Sequence, residues 1–251
     1  MTSPIHALLL VTAALLWPFM VVDAPDATTD APKHRVLVFS KTAGFRHGSI
    51  PDGVEAMRKI CESRGWAVEH TEDSTTFTQE KLAEFDAVVF LSTTGDVLDD
   101  AQQEAFEKFI QSGKGYMGIH AAADTEYDWP WYASLVGAQF KSHPSIQEAT
   151  VHVLDRHHPS TKHLGAHWVR TDEWYDYRSM PADEVSKLLA LDETTYEGAT
   201  MGDSHPIAWC HEYDGGRSFY TGGGHTSESF TEPDFVQHLE GGLAWVLGEE
   251  D

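Results

Sequence analysis

Short apolar runs alternate with longer amphipathic segments through the first half of the chain. The strand candidates are runs of mostly apolar, partly β-branched residues at Arg35–Ser40, Trp66–His70, Asp86–Ser92 and Gly115–Ile119. The helix candidates, with apolar residues at helical spacing, are Pro51–Arg64, Gln79–Phe85 and Asp99–Ser112. Gly65 and Gly113 follow two of these helices, where glycine commonly ends a helix. The alternation predicts βαβ units and an α/β fold with a doubly wound, mostly parallel sheet.

The second half of the chain has a different pattern. Further strand candidates are Ala149–Leu154, Ser186–Leu191, His205–Tyr213 and Arg217–Thr221, and a helix is predicted for about Pro233–Leu247. Asp214-Gly215-Gly216 has the composition of a hairpin turn. Because these strands are not separated by helices, we predict one domain over residues 34–248, with an elaborated, mixed C-terminal half.

The N-terminal segment has the pattern of an export signal. An apolar run from about Ala7 to Val22 gives way to the polar stretch Asp23–Asp30, which favours a signal peptide and spacer over residues 1–27. The run is shorter than the roughly 20 residues of a spanning helix, so a membrane anchor is the second alternative. We therefore expect a periplasmic or extracellular protein without stable membrane insertion.

Composition narrows the range of partners. The 251 residues are 41% hydrophobic, which is enough for a sizeable core, and 17 basic against 40 acidic residues give a formal net charge of -23. This charge repels phosphate backbones, so nucleic acid is not an expected partner. The oligomeric state is left open.

The segment Gly115–Asp124 resembles a nucleophile elbow in which histidine replaces the nucleophile. A buried strand runs into Gly118-x-His120-x-Ala122, and His120 would lie at the carboxyl end of that strand, where open α/β sheets bind their ligands. Asp124 follows closely and is expected either to orient His120 or to cap the turn.

Other polar side chains are expected at the same edge of the sheet. His47, His143 and His225 each lie in a loop that follows a candidate strand or borders the pocket-forming segment. Glu173 lies in an aromatic cluster, Asp172–Asp176, which either desolvates the carboxyl and raises its pKa toward neutrality or forms a rim loop with exposed acids. The chain has two cysteines, Cys61 and Cys210, and both are predicted to be packed core thiols.

Two chemistries fit this set of side chains. In the first, His120, His143, His225 and Glu173 bind a divalent metal ion, either zinc, iron or manganese. In the second, the same groups exchange protons with a polyol or keto-sugar without a metal. Aromatic residues offer sugar-stacking faces or simply cover the core, and these are Trp129, Trp131, Tyr132, Trp174 and Tyr175.

Taken together, the motifs resemble the ThuA-like (trehalose utilisation) family. The matching pieces are Lys41–His47, Gly118–Asp124, Phe140–Pro144, His158-Pro159, Asp172–Tyr175, His205–Trp209, Gly216–Tyr220 and Gly224-His225. The resemblance implies a class I glutamine amidotransferase-like, flavodoxin-related fold. In amidotransferases of that fold the elbow carries a cysteine, whereas His120 occupies it here, so thioester chemistry is not expected.

The family's link to trehalose and related keto-disaccharides implies a small carbohydrate as the substrate. Our hypothesis is an exported sugar or keto-sugar enzyme, and the alternative is a non-catalytic carbohydrate-binding module on the same fold. The residues assigned to catalysis are His120, Glu173, His143, His225 and Asp124. The residues assigned to substrate binding are Arg46, His47, Trp129, Trp131, Trp174 and Tyr175.

Overall fold

The computed structural model describes Met1 and residues 31–250. The predicted signal peptide and spacer therefore lie outside the described residues, apart from Met1, and export stays a prediction. The described residues from Pro32 onward form one compact unit. Among the described residues, no helix is long and apolar enough to cross a bilayer.

Eleven strands and five α-helices make up the described part of the chain. The strands are β1 (Arg35–Phe39), β2 (Ala67–Thr71), β3 (Ala87–Leu91), β4 (Gly115–Ile119), β5 (Phe140–Ser142), β6 (Gln147–Val153), β7 (His167–Asp172), β8 (Asp176–Tyr177), β9 (Ser186–Leu191), β10 (His205–Tyr213) and β11 (Gly216–Thr221). The helices are α1 (Ile50–Arg64), α2 (Gln79–Leu82), α3 (Asp100–Gln111), α4 (Pro130–Val136) and α5 (Pro233–Val246). A 3-10 helix, His120–Asp124, follows β4 directly.

Nine of these strands form one mixed sheet in the order β2-β1-β3-β4-β11-β10-β9-β6-β7. Neighbouring strands from β2 to β11 are parallel, and those from β11 to β7 are antiparallel. The first half thus forms the predicted parallel sheet, and the α/β class is confirmed. Because β11 lies parallel to β4, the loops that follow these two strands meet at the carboxyl edge of the sheet.

The ends of α1 and α3 lie within one residue of the predicted ones, whereas α2 ends at Leu82 and not at Phe85. The side chain of Asp99 accepts a hydrogen bond from the Gln102 N–H, and Gln102 returns one, so α3 begins with a capping box. Gly65 ends α1 with a φ of 70°, a left-handed conformation that glycine adopts without strain. The turn between β10 and β11 is also as predicted, with positive φ at Asp214 and Gly215.

Strand β7 was not predicted from the sequence. Its side chains alternate between exposed and buried, but two of the three buried ones are the charged Arg170 and Asp172. They form an ion pair 2.9 Å long between Nη1 and Oδ2. A search for alternating apolar residues misses such a strand, because the ion pair replaces the apolar side chains on its buried face. The short elements α4, β5 and β8 were missed as well.

Candidate functional site

Four side chains from four loops converge at the carboxyl edge of the sheet. His47 follows β1, His120 follows β4, Glu173 follows β7 and His225 follows β11. One ligand atom from each lies within 4.8 Å of all the others. We call these four residues the His-Glu cluster. Three of them are buried, and His225 is half-buried.

The backbone at His120 aims its ring into the cluster. Its φ of 51° is left-handed, which is uncommon for a residue other than glycine and produces the sharp turn expected of an elbow. The ring Nδ1–H donates a 2.8 Å hydrogen bond to the carbonyl of Gly222. Since Nδ1 carries that hydrogen, the neutral ring has its lone pair on Nε2, which faces His225 at 3.2 Å.

Glu173 lies between the histidines. Its Oε2 is 3.0 Å from Nδ1 of His225 and 3.5 Å from Nε2 of His120. Burial alone raises the pKa of this carboxyl, but the adjacent rings of His120 and His225 favour the ionised carboxylate, outweigh burial and bring the pKa to about 2. The expectation of a pKa near neutrality is therefore wrong, because the carboxylate is paired as well as desolvated.

His47 is the least satisfied member of the cluster. Its Nδ1 is buried and has no hydrogen-bond partner among the described residues. Its ring meets those of His120 and His225 edge to face, at centroid distances of 4.8 and 5.1 Å. Burial, followed by the neighbouring histidines, lowers the pKa of His47 to about 3, so the ring is neutral at physiological pH.

A buried carboxylate behind the cluster holds two of its members in place. Asp172 accepts hydrogen bonds from the backbone N–H groups of Gly224 and His225, at 2.8 and 3.1 Å. It also pairs with Arg170, and both side chains are almost completely buried. Asp172 thereby fixes the loop that carries His225, and it directly precedes Glu173 in the chain. From the sequence it was noticed only as part of an acidic pair.

His143 and Asp124 occupy different positions from those expected. Nδ1 of His143 lies 3.0 Å from Oε1 of Glu173 and donates to the Pro144 carbonyl, but the side chain is 43% exposed and does not belong to the His-Glu cluster. In the predicted metal set its place is taken by His47. Asp124 accepts a hydrogen bond from the Tyr127 hydroxyl, and the 3-10 helix that it ends has no side-chain cap. His120 is instead oriented by the Gly222 carbonyl, so Asp124 neither caps the turn nor orients the ring through a hydrogen bond.

Two of the predicted sugar-stacking residues lie away from the cluster. Trp129 stacks on Trp131 and donates to Glu107 of α3. Trp131 donates to Asp214 in the turn before β11, which is at the opposite end of that strand from His225. These tryptophans cover α3 because its apolar face, including Phe106, needs a partner there.

Of the other predicted binding residues, two are engaged elsewhere in the protein and one lies at the cluster. Trp174 is 1% exposed and donates to the Gln147 carbonyl, so its faces are not available to a ligand. Arg46 pairs with Glu72 at the surface. Tyr175, in contrast, lies at the cluster, with its ring centroid 4.3 Å from that of His120.

Phe45 was not predicted to have a role. Its side chain is 66% exposed, although its ring lies edge to face against His47 at 4.9 Å. The backbone carbonyl of Phe45 accepts a hydrogen bond from the Thr94 hydroxyl, so the exposed ring projects from a fixed main chain. A large exposed apolar side chain in the same segment as His47 is the sequence signal that could have identified it.

A second group of potential metal ligands is fully used within the protein. Asp176, Glu193 and His205 lie close enough to share an ion. However, Asp176 accepts from the N–H and hydroxyl of Thr200, and His205 donates to Glu193 and to the Tyr175 carbonyl. We interpret this group as a hydrogen-bond network that supports the main chain at Tyr175.

Comparisons with known proteins identify the family and the fold. A family model for trehalose utilisation, ThuA, matches residues 35–246. A ThuA-like protein from Bacteroides uniformis is similar in structure, with a TM-score of 0.75 and 24% identity over 91% of this chain and 97% of that one. A ThuA-like protein from Parabacteroides merdae has a TM-score of 0.71 and 19% identity, over 86% and 91% of the two chains. No curated protein matches.

Proposed function

Since the chain belongs to the ThuA family of trehalose utilisation, we propose that it is an enzyme acting on a sugar or keto-sugar of the trehalose type. The observation that carries the proposal is the His-Glu cluster, which gathers four ionisable side chains at the carboxyl edge of a parallel sheet. Ionisable groups with displaced pKa values concentrate where proteins carry out chemistry. A module that only binds sugar would not need them.

Thioester chemistry of the amidotransferase kind does not fit this chain. Burial raises the pKa of both Cys61 and Cys210 to about 12, so neither is a thiolate at neutral pH. The elbow position itself carries His120. Neither sulfur belongs to the His-Glu cluster, and we therefore assign no covalent acyl intermediate.

Proton transfer is the chemistry that these side chains support directly. The hydrogen bond to Glu173 raises the pKa of His225, and an imidazole ring can both accept and donate a proton. Glu173, with its low pKa, stays ionised and stabilises the positive charge of a protonated ring. A sugar hydroxyl, or the proton beside the carbonyl of a keto-sugar, is a suitable reaction partner for such a pair.

The test of the proposed function is a turnover screen. The protein is incubated with trehalose, related disaccharides and their 3-keto derivatives, and products are followed by chromatography and mass spectrometry. Calorimetry on the same compounds measures binding. We expect a product from at least one keto-disaccharide. Binding of these sugars without any product would instead support a non-catalytic carbohydrate-binding module.

We predict that Phe45 provides the stacking face for the sugar ring. An aromatic contact contributes about 0.5–1.5 kcal/mol beyond area burial, so Phe45→Ala should raise KM by roughly 3–10-fold. The turnover number should change by less than about twofold, because the ring does not reach the His-Glu cluster's reacting atoms in this role. Steady-state kinetics on the best substrate of the screen measures both constants.

Phe45→Tyr is the matched control, since it keeps the aromatic face and should keep the wild-type KM. The exposed position of Phe45 means that neither variant should lose stability. An unchanged KM in Phe45→Ala would show that the sugar binds elsewhere.

A further inference from the structure

We propose that the His-Glu cluster is a binding site for one divalent transition-metal ion, held by His47, His120, Glu173 and His225. The choice of a sugar as the molecule acted on there rests on the proposed function, whereas the metal site itself stands on the geometry alone. His143, which the sequence suggested as a ligand, lies outside the set.

The spacing of the donor atoms matches a metal coordination shell. Nε2 of His120, Nδ1 of His225 and Oε2 of Glu173 form a triangle with sides of 3.0, 3.2 and 3.5 Å. Two ligands bonded to zinc at about 2.0–2.1 Å with a tetrahedral angle stand roughly 3.3 Å apart. An ion therefore fits between these atoms without a change of backbone. A ring nitrogen of His47 lies within 4.8 Å of the other three, as a fourth ligand.

Hydrogen bonds alone do not satisfy these atoms. Nε2 of His120 is an acceptor in the neutral ring, because Nδ1 carries the hydrogen that goes to Gly222. The ionised carboxylate of Glu173 is also only an acceptor. The Nδ1–H of His225 supplies a single hydrogen for two acceptors, Nε2 of His120 and Oε2 of Glu173. The buried Nδ1 of His47 has no hydrogen-bond partner among the described residues. Lone pairs that converge in this way favour a cation.

The surrounding residues support the ligands as outer partners do in metal proteins. Metal-binding histidines commonly donate their second ring nitrogen to a backbone carbonyl, as His120 does to Gly222. Asp172 holds the backbone N–H groups of Gly224 and His225. The second group, around Asp176 and His205, differs in this respect, because its oxygen and nitrogen atoms are already occupied by protein hydrogen bonds.

Three imidazoles and one carboxylate favour zinc, iron or manganese over magnesium and calcium, which prefer oxygen ligands. A metal in this site would make a bound water acidic or polarise the carbonyl of a keto-sugar. His143 would then lie at the rim of the site, in contact with the free Oε1 of Glu173.

The experiment uses the full chain, purified without a histidine tag and stripped with a chelator. Zinc, cobalt(II) and manganese are titrated by calorimetry, and bound metal is counted by elemental analysis. We expect one ion per chain. His225→Ala and His47→Ala should weaken zinc binding by at least about tenfold, since even outer-shell changes cost 10–100-fold. His157→Ala, at an exposed histidine outside the cluster, is the control and should bind zinc within about threefold of wild type.

Circular dichroism is recorded on every variant, so that loss of the fold is not mistaken for loss of a metal ligand. Glu173→Gln, whose side chain has nearly the same shape as glutamate, repeats the binding test at the carboxylate. Absence of stoichiometric metal in the folded wild-type protein overturns the inference. Equal losses in His157→Ala and His47→Ala overturn the ligand set. Turnover of keto-sugars by a protein that binds none of the titrated metals would retain the proposed function and refute the metal site, while metal binding without any turnover of sugars would do the reverse.

Discussion

His120→Asn is expected to lower kcat/KM by about 10²–10⁴-fold while the fold stays intact. The ring is completely buried, and its Nε2 faces His225 and Glu173 in the His-Glu cluster, at 3.2 and 3.5 Å. Loss of a group that moves a proton or holds a reacting centre costs about that factor. Asparagine is chosen because it tolerates a positive φ, here 51°, and because its amide can donate to the Gly222 carbonyl as the ring does.

The measurement is turnover of the best substrate from the screen, with circular dichroism and thermal unfolding as the fold controls. His120→Ala is a useful comparison. It should be as inactive as His120→Asn but less stable than that variant. A left-handed conformation costs alanine roughly 1–2 kcal/mol, and the hydrogen bond to Gly222 is lost. Wild-type turnover by a folded His120→Asn variant would remove His120 from the chemistry.

The protein is expected to lose stability steeply between pH 6.5 and pH 4.5. Burial lowers the pKa of His238 to about 3 and that of His158 to about 4, against about 6.5 in an unfolded chain. In this pH range the unfolded state binds more protons than the folded state, so stability falls as pH falls. Between pH 6.5 and pH 4.5 each histidine contributes a loss of about 2 kcal/mol, a large part of the usual 5–15 kcal/mol.

Urea unfolding at a series of pH values measures this effect. His238→Asn should make the free energy of unfolding depend less steeply on pH, by the contribution of one histidine. Asparagine can still donate to the Ser160 carbonyl but does not titrate. Its stability at neutral pH should be lower, since it fills less of the space between the surrounding aromatic rings. His157→Asn, an exposed neighbour of His158, is the control and should keep the wild-type slope. An unchanged slope in His238→Asn would show that His238 is not a source of the acid sensitivity.

The parallel part of the fold was predictable because its signals are local. Strands β1, β3 and β4 are continuous apolar runs, and α1 and α3 carry glycine or capping signals at their ends. Strand β7 was not predictable in the same way. Its buried face is closed by Arg170 and Asp172, and the residues that pair with them include Glu232, far along the chain. Their burial depends on tertiary contacts that no local pattern contains.

The candidate site was predictable only as far as strand ends and motifs allowed. His120, Glu173 and His225 come together as the position of each after a strand suggested. The exchange of His143 for His47 depends on burial, since His47 is buried and the side chain of His143 is 43% exposed, and burial follows from tertiary contacts. The tryptophans were misplaced for a related reason, because aromatic density does not tell which face of the sheet a side chain covers.

The position of β11 has a consequence for synthesis of the chain. This strand is the last in sequence, yet it lies between β4 and β10 in the middle of the sheet. Until it has been made, β4 is an unpaired edge, and exposed edges promote aggregation. The loop at Ser49 is also tied to Gly224, 175 residues later, by a 3.1 Å hydrogen bond. Contacts of such long range form slowly, so the His-Glu cluster can assemble only after the chain has been translated past His225.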